Sequence, residues 1–274
     1  MCCKIYFMIL EHYNPELIIA DDAYAWRYMS FEKIWDILSN DKIYFSRLDS
    51  FDDPLEGMPI KYIKAIYYAN IRKFDSEYIQ EKMPTRFEIN GWQHGVFASC
   101  WYLTEGEKGK LSNHEESFAM WNLYSNAEGF CLKIKFSELK KIIENALIDF
   151  SDLEIFQAFF GRVEYLGYFD DFFTLDKTKT NIDILRSSIK HASYKHENEV
   201  RFLLLANNKE LDRSGIEFKL KQRFIEVNPA IQIICHPDMD NQVFLTFKNK
   251  FEQIGISIQQ SKLLTAKVIS RFIK

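Results

Sequence analysis

Apolar positions recur with two different periods along this chain, and each period predicts its own kind of element. Ala23–Met29 has the spacing of a strand. Ser30 then stands where a helix N-cap belongs, and Phe31, Ile34, Trp35 and Leu38 share one helical face through Ser39. Lys42–Ser46 predicts a second strand and Arg47–Met58 a loop rich in Asp and Pro. Ile60 to about Glu81 has the pattern of a long amphipathic helix, stopped before Pro84. Val96–Tyr102 predicts a strand, Thr104–Asn113 a loop, Glu115–Ser125 a helix and Phe130–Phe136 a strand. Ser137 is placed to cap a helix to about Leu147. Val163–Tyr168 is strand-like and Asn181–His191 helical. Val200–Ala206 predicts a strand, apolar on both faces from Phe202 to Leu205, as in the centre of a sheet. In the tail, Phe218, Phe224–Val227 and Ile231–Cys235 are strand-like, Asp238–Phe251 is helical, and Lys262–Lys274 fits a packing or partner-binding strand.

Strands and helices are interspersed, and many connections are short enough for hairpins. The order predicts an α+β fold: a mixed, largely antiparallel split sheet with surrounding helices. No repeat or Pro/Gly/Ser linker divides the chain, so one domain over 1–274 is expected, with 207–274 adding strands and a helix to the sheet.

Composition narrows the function classes. Lys and Arg total 35 against 39 Asp and Glu, a net charge of −4. That argues against whole-chain basicity as a route to nucleic acid, though a local basic groove is compatible. No apolar run approaches the roughly 20 residues needed to cross a bilayer. Ile5–Leu10 is too short, and lacks the cleavage site, for a signal peptide. The five cysteines are odd in number and show no CxxC spacing, so reduced thiols in a cytoplasm are expected. None of the six histidines is paired at zinc-site spacing, and no metal is expected. Phosphate-binding Gly-rich loops and Gly-x-Ser-x-Gly are missing from the sequence.

Four clusters could carry chemistry. Trp26-Arg27-Tyr28 ends a strand, where Arg27 could clamp a phosphate or carboxylate and Tyr28 could stack on a ring. Phe51-Asp52-Asp53-Pro54-Leu55-Glu56 is a turn sequence whose carboxylates, Asp53 and Glu56 among them, could also meet ribose hydroxyls or a metal. In Met120-Trp121-Asn122-Leu123-Tyr124, Trp121 and Tyr124 share one side of a helix. The fourth runs from Lys190 through Tyr194 to Glu197, Glu199 and Arg201. Alternation puts Glu197, Glu199 and Arg201 on one face of an extended segment, where repulsion would raise the pKa of one carboxylate.

In order and spacing these clusters resemble the bacterial family known as domain of unknown function 2971 (DUF2971), over about residues 24–206. The carrying motifs are Tyr44-Phe45-Ser46, Phe51 to Glu56, Ala98-Ser99-Cys100-Trp101, Met120 to Leu132, Val163-Glu164-Tyr165, and Lys190 to Arg201. The chain departs from the family pattern in having Asp52 for Asn, Leu55 for Phe and Tyr194 for Trp. The layout is also distantly similar to ADP-ribosyltransferases. That likeness implies NAD as substrate, with Arg27 as clamp, Tyr28 or Tyr44 as stacking ring and Glu199 as the essential carboxylate. Around these, Ser46, Asp53, Glu56, Trp121, Tyr124 and Arg201 would line the nucleotide, with Glu197 assisting. The expectation is an NAD-consuming transferase or glycohydrolase, in a toxin or phage-defence role. The acceptor, protein or nucleic acid, and the oligomeric state stay open. The alternatives are a metal-dependent phosphodiesterase or nuclease using Asp53, Glu56, Glu197 and Glu199, and a binding or sensor module without turnover.

Overall fold

The computed structural model describes residues 8–53, 56–57, 93–105, 116–148, 150, 155–167, 186–206, 213–220 and 231–270. In chain order the strands and helices are β1 (Leu10–His12), β2 (Tyr24–Met29), α1 (Phe31–Asn40), β3 (Lys42–Arg47), β4 (Val96–Thr104), α2 (Phe118–Tyr124), β5 (Phe130–Lys135), α3 (Phe136–Leu147) and β6 (Ile155–Arg162). They continue as β7 (Glu164–Leu166), β8 (Ile189–His191), β9 (Glu199–Ala206), β10 (Gly215–Lys219), β11 (Ile231–Cys235), α4 (Asn241–Glu252), β12 (Ile258–Gln260) and α5 (Ala266–Ser270). Short 3-10 turns occupy Leu48–Ser50 and Ala192–Glu197. The fold is α+β with a mixed, largely antiparallel sheet.

The chain divides into two compact units: 1–18, 44–100 and 149–217 form the first, and 19–43, 101–148 and 218–274 the second. The first orders its strands β1-β6-β9-β4-β3-β10. β9 is buried at every position because β6 and β4 flank it, which its two-faced apolar sequence requires. Its core face gathers Tyr13, Leu48, Val96, Ala98, Phe159, Leu203 and Leu205. The Tyr13 ring lies across Gly161, where a Cβ would stand 2.8 Å from the ring carbons. The second unit orders the end of β4 with β2, β5, β11 and β12. Here Trp26, Tyr28, Met120, Trp121, Cys131 and Ile234 pack together, with Trp26 Nε1 donating to Thr104 Oγ1 at 2.7 Å. A second aromatic group, Phe31, Trp35, Phe130 and Phe251, uses the apolar face of α1.

Several elements differ from expectation. β6 and β1 carry no strand forecast, yet they pair in parallel through Leu10–His12 and Ala158–Phe160. The end of the expected Asn181–His191 helix is strand β8, which runs parallel to β7 with Tyr165 opposite Lys190. Helix α3 begins two residues earlier than a Ser137 cap allows: Phe136 is already helical and Lys135 holds the N-cap position. Ser30 occupies the N-cap position without capping the backbone; its side chain bonds Glu32 instead and lowers that carboxyl's pKa. Residues 266–270 of the expected terminal strand form a helix. The expected Ile60–Glu81 helix and Phe224–Val227 strand lie outside the described residues.

Candidate functional site

In the first unit, the second and fourth sequence clusters meet. The 3-10 turn Ala192–Glu197 ends on Glu197, and Asn198 takes a left-handed conformation at φ 37° before Glu199 opens β9. Asn tolerates that conformation through local hydrogen bonding. Its Oδ1 accepts from Arg162 Nη2 at 3.3 Å. Glu197 therefore sits in a turn, not in the same extended run as Glu199 and Arg201, yet it still faces them. The Glu199 N–H donates to Tyr165 Oη at 2.8 Å, which fixes where the strand begins. β8 supplies Lys190, and the turn after Asp53 supplies Glu56, whose N–H donates to Asp53 O at 3.1 Å.

Five charged side chains converge. Lys190 Nζ donates to Glu197 Oε2 at 2.5 Å and Glu199 Oε1 at 3.1 Å, and lies 3.8 Å from Glu56 Oε2. Arg201 Nε donates to Glu199 Oε2 at 2.6 Å. Its Nη1 donates to Glu56 Oε1 and, at 2.7 Å, to Ser187 O. Relative exposure is 0% for Arg201, 1% for Glu56, 3% for Glu197, 6% for Glu199 and 7% for Lys190. Two rings border the cluster: Tyr194, 4.8 Å from Lys190 Nζ, and Phe51, 5.9 Å from Arg201 Cζ. Among the described residues, Glu56 Oε2 and Arg201 Nη2 have no hydrogen-bond partner.

Electrostatics oppose one sequence expectation. Burial alone would raise the Glu199 pKa, but Arg201 and Lys190, aided by hydrogen bonding, outweigh it and bring it down to about 2. Glu199 is lowered, not raised, because the two cations that touch it outweigh repulsion and burial. Burial also works against the Lys190 ammonium, yet Glu199, Glu56 and Glu197 hold it charged above its ordinary range. Nearby, burial pushes the Cys100 thiol up to about 12.

The remaining candidates fall elsewhere. Asp53 borders Tyr194 and helps raise its pKa. Ser46 lies in β3 opposite Ala98, and half-exposed Tyr44 packs its phenol over Gly215. Arg27, Tyr28, Trp121 and Tyr124 belong to the second unit. There Arg27 lies over the Trp101 ring at 5.4 Å. Tyr28 is 6% exposed, accepts from the Ser117 N–H and meets Trp121 edge-on at 4.9 Å, so its ring is spent on packing. Tyr124 is exposed at the end of α2. Sequence motifs contained Lys190 and Tyr165 without giving them roles, and no sequence signal marked Tyr13. Among the described residues, no group of three or more His, Cys, Asp or Glu is arranged to hold a metal ion, and no helix is long and apolar enough to cross a membrane.

The sequence profile of a family described as protein of unknown function (DUF2971) matches residues 120–202. The match runs from α2 into β9 and includes Tyr165, Lys190, Glu197, Glu199 and Arg201. It supports the family assignment drawn from the motifs. No curated protein and no solved structure matches the chain.

Proposed function

We propose that the charge cluster of the first unit serves an NAD-consuming reaction, transfer or hydrolysis at the nicotinamide ribose. The observation that carries this reading is a buried convergence of carboxylates on two cations: Lys190 meets Glu197 and Glu199, and Arg201 meets Glu199 and Glu56. Departure of nicotinamide leaves positive charge on the ribose, and preorganised negative charge in a water-poor setting favours that transition state. Glu199, ionised down to about pH 2, is a carboxylate at any working pH. Glu56 Oε2 and Arg201 Nη2 offer an unused acceptor and donor, the pair of valences that a ribose hydroxyl takes up.

A second reading, a binding or sensor module without turnover, is favoured by the saturation of Glu199, whose two oxygens already take Lys190 and Arg201. Incubation of the purified chain with NAD, with and without cell lysate, separates the two. Chromatography detects released nicotinamide if the first reading holds; its absence under both conditions favours the second. Hydrolysis of a phosphodiester only when divalent metal is added would instead favour a metal-dependent enzyme.

A further inference from the structure

We propose that Tyr13 Oη, Arg201 Nη2 and Glu56 Oε2 form an internal site for a single hydroxyl oxygen. Tyr13 belongs to no motif of the sequence, and strand pairing brings it to the charge cluster. His12 of β1 is paired with Phe160 of β6, and the Tyr13 N–H then donates to Phe160 O at 3.0 Å. The Tyr13 ring lies over the next residue of β6, Gly161, where a Cβ would stand 2.8 Å from Cζ, the carbon that bears the hydroxyl. Gly161 is in turn the partner of Arg201 across β6 and β9. Residues paired in this way project to the same face of a sheet, so the hydroxyl end of Tyr13 stands beside the Arg201 side chain. Burial raises the Tyr13 pKa, and Arg201 and then Glu199 are the charges that act on it most, in keeping with this placement.

Tyr13 Oη, Arg201 Nη2 and Glu56 Oε2 lack a hydrogen-bond partner among the described residues. All three side chains are buried, Tyr13 being 7% exposed, Glu56 1% and Arg201 0%. Arg201 Nη1 donates to Glu56 Oε1, so Nη2 and Oε2 are the remaining atoms of one ion pair. Other buried phenols are satisfied: Tyr28 Oη accepts from the Ser117 N–H and Tyr165 Oη from the Glu199 N–H. A buried polar atom left unbonded costs its full desolvation, and protein interiors meet such groups with a bound oxygen that makes about three hydrogen bonds. The valences select a hydroxyl. It donates to Glu56 Oε2 and accepts from Arg201 Nη2 and Tyr13 Oη. A carbonyl could not donate to the carboxylate, and an ammonium could not accept from the guanidinium.

Two sources supply that chemistry. A water molecule takes the site in the free chain, and a sugar hydroxyl takes it over when a ribosyl ligand binds. The second source rests on the NAD-consuming reading; the first does not.

The test is a pair of crystal structures of the full chain, free and soaked with ADP-ribose, together with thermal unfolding of wild type and Tyr13→Phe. In the free crystal an oxygen is expected about 3 Å from all three atoms. Tyr13→Phe keeps the ring on Gly161 and removes one bond to that oxygen, so its midpoint is expected to fall by about 2–4 °C. No oxygen density between the three atoms overturns the site. A midpoint that is unchanged, or raised because a partnerless hydroxyl has been removed, overturns it as well. In the soaked crystal, a ribose hydroxyl in the water's place supports the site and the NAD reading together. Water kept in place upholds the site and counts against the NAD reading.

Discussion

Arg201 is fully buried, and its charge is held by Glu199 and Glu56. Such a cation is held only while its partners remain, because one partner lost leaves the other charge buried and uncompensated. Arg201→Met strips Glu56 and Glu199 of the cation they share and is predicted to cost about 3–5 kcal/mol. Glu199→Gln turns one acceptor oxygen into an N–H2 group facing a cation but leaves Glu197 on Lys190 and Glu56 on Arg201, so its predicted cost is smaller, about 1–3 kcal/mol. Urea unfolding of both variants checks this order; equal losses would show that Glu197 and Glu56 do not hold the two cations once Glu199 is neutral. The pH dependence follows from the same residue. Its folded pKa of about 2 lies below the ordinary 4.5, so the stability it contributes is present above 4.5 and is lost as pH falls toward 2. Wild type is predicted to lose stability across that window, and Glu199→Gln to lose less of it, measured by unfolding midpoints at successive pH values.

At the scale of elements, β6 and β9 form the antiparallel pair that holds the cluster, with Gly161 opposite Arg201. Gly161 lets Tyr13 lie flat on the strand. Gly161→Ala is predicted to cost about 1–3 kcal/mol by overpacking, and to weaken hydrogen-exchange protection in β6 and β9. Unchanged protection would mean that Tyr13 shifts freely. The sequence made some of this legible and hid the rest for physical reasons. β9 announced itself through an apolar run on both faces. β6 did not, because Phe156 and Gln157 near its start and Gly161 near its end break any clean period, and its strand character comes from β1 and β9 on either side. β8 is three residues long and pairs in parallel with β7, a choice made by the partner and not by local spacing. The alternation of Glu197, Glu199 and Arg201 pointed to a common face. The metal-dependent alternative already grouped Glu56 with Glu197 and Glu199; that Lys190 pairs with these carboxylates was not readable, since it depends on the β7–β8 pairing.

Across the whole molecule, the net charge of −4 says little about function, whereas the burial of five charged side chains together says more. The family match includes four of the five charged residues, and Glu56 comes from outside it. The two units divide the candidate residues between an ionic cluster in the first and an aromatic core around Tyr28 and Trp121 in the second. The most direct measurement is nicotinamide release from NAD by wild type and by Glu199→Gln, each shown to be folded by circular dichroism. The account predicts release by wild type and a fall of about a hundredfold or more in the variant, the scale seen when a preorganised charge-stabilising group is lost. Equal release by the two proteins would contradict it.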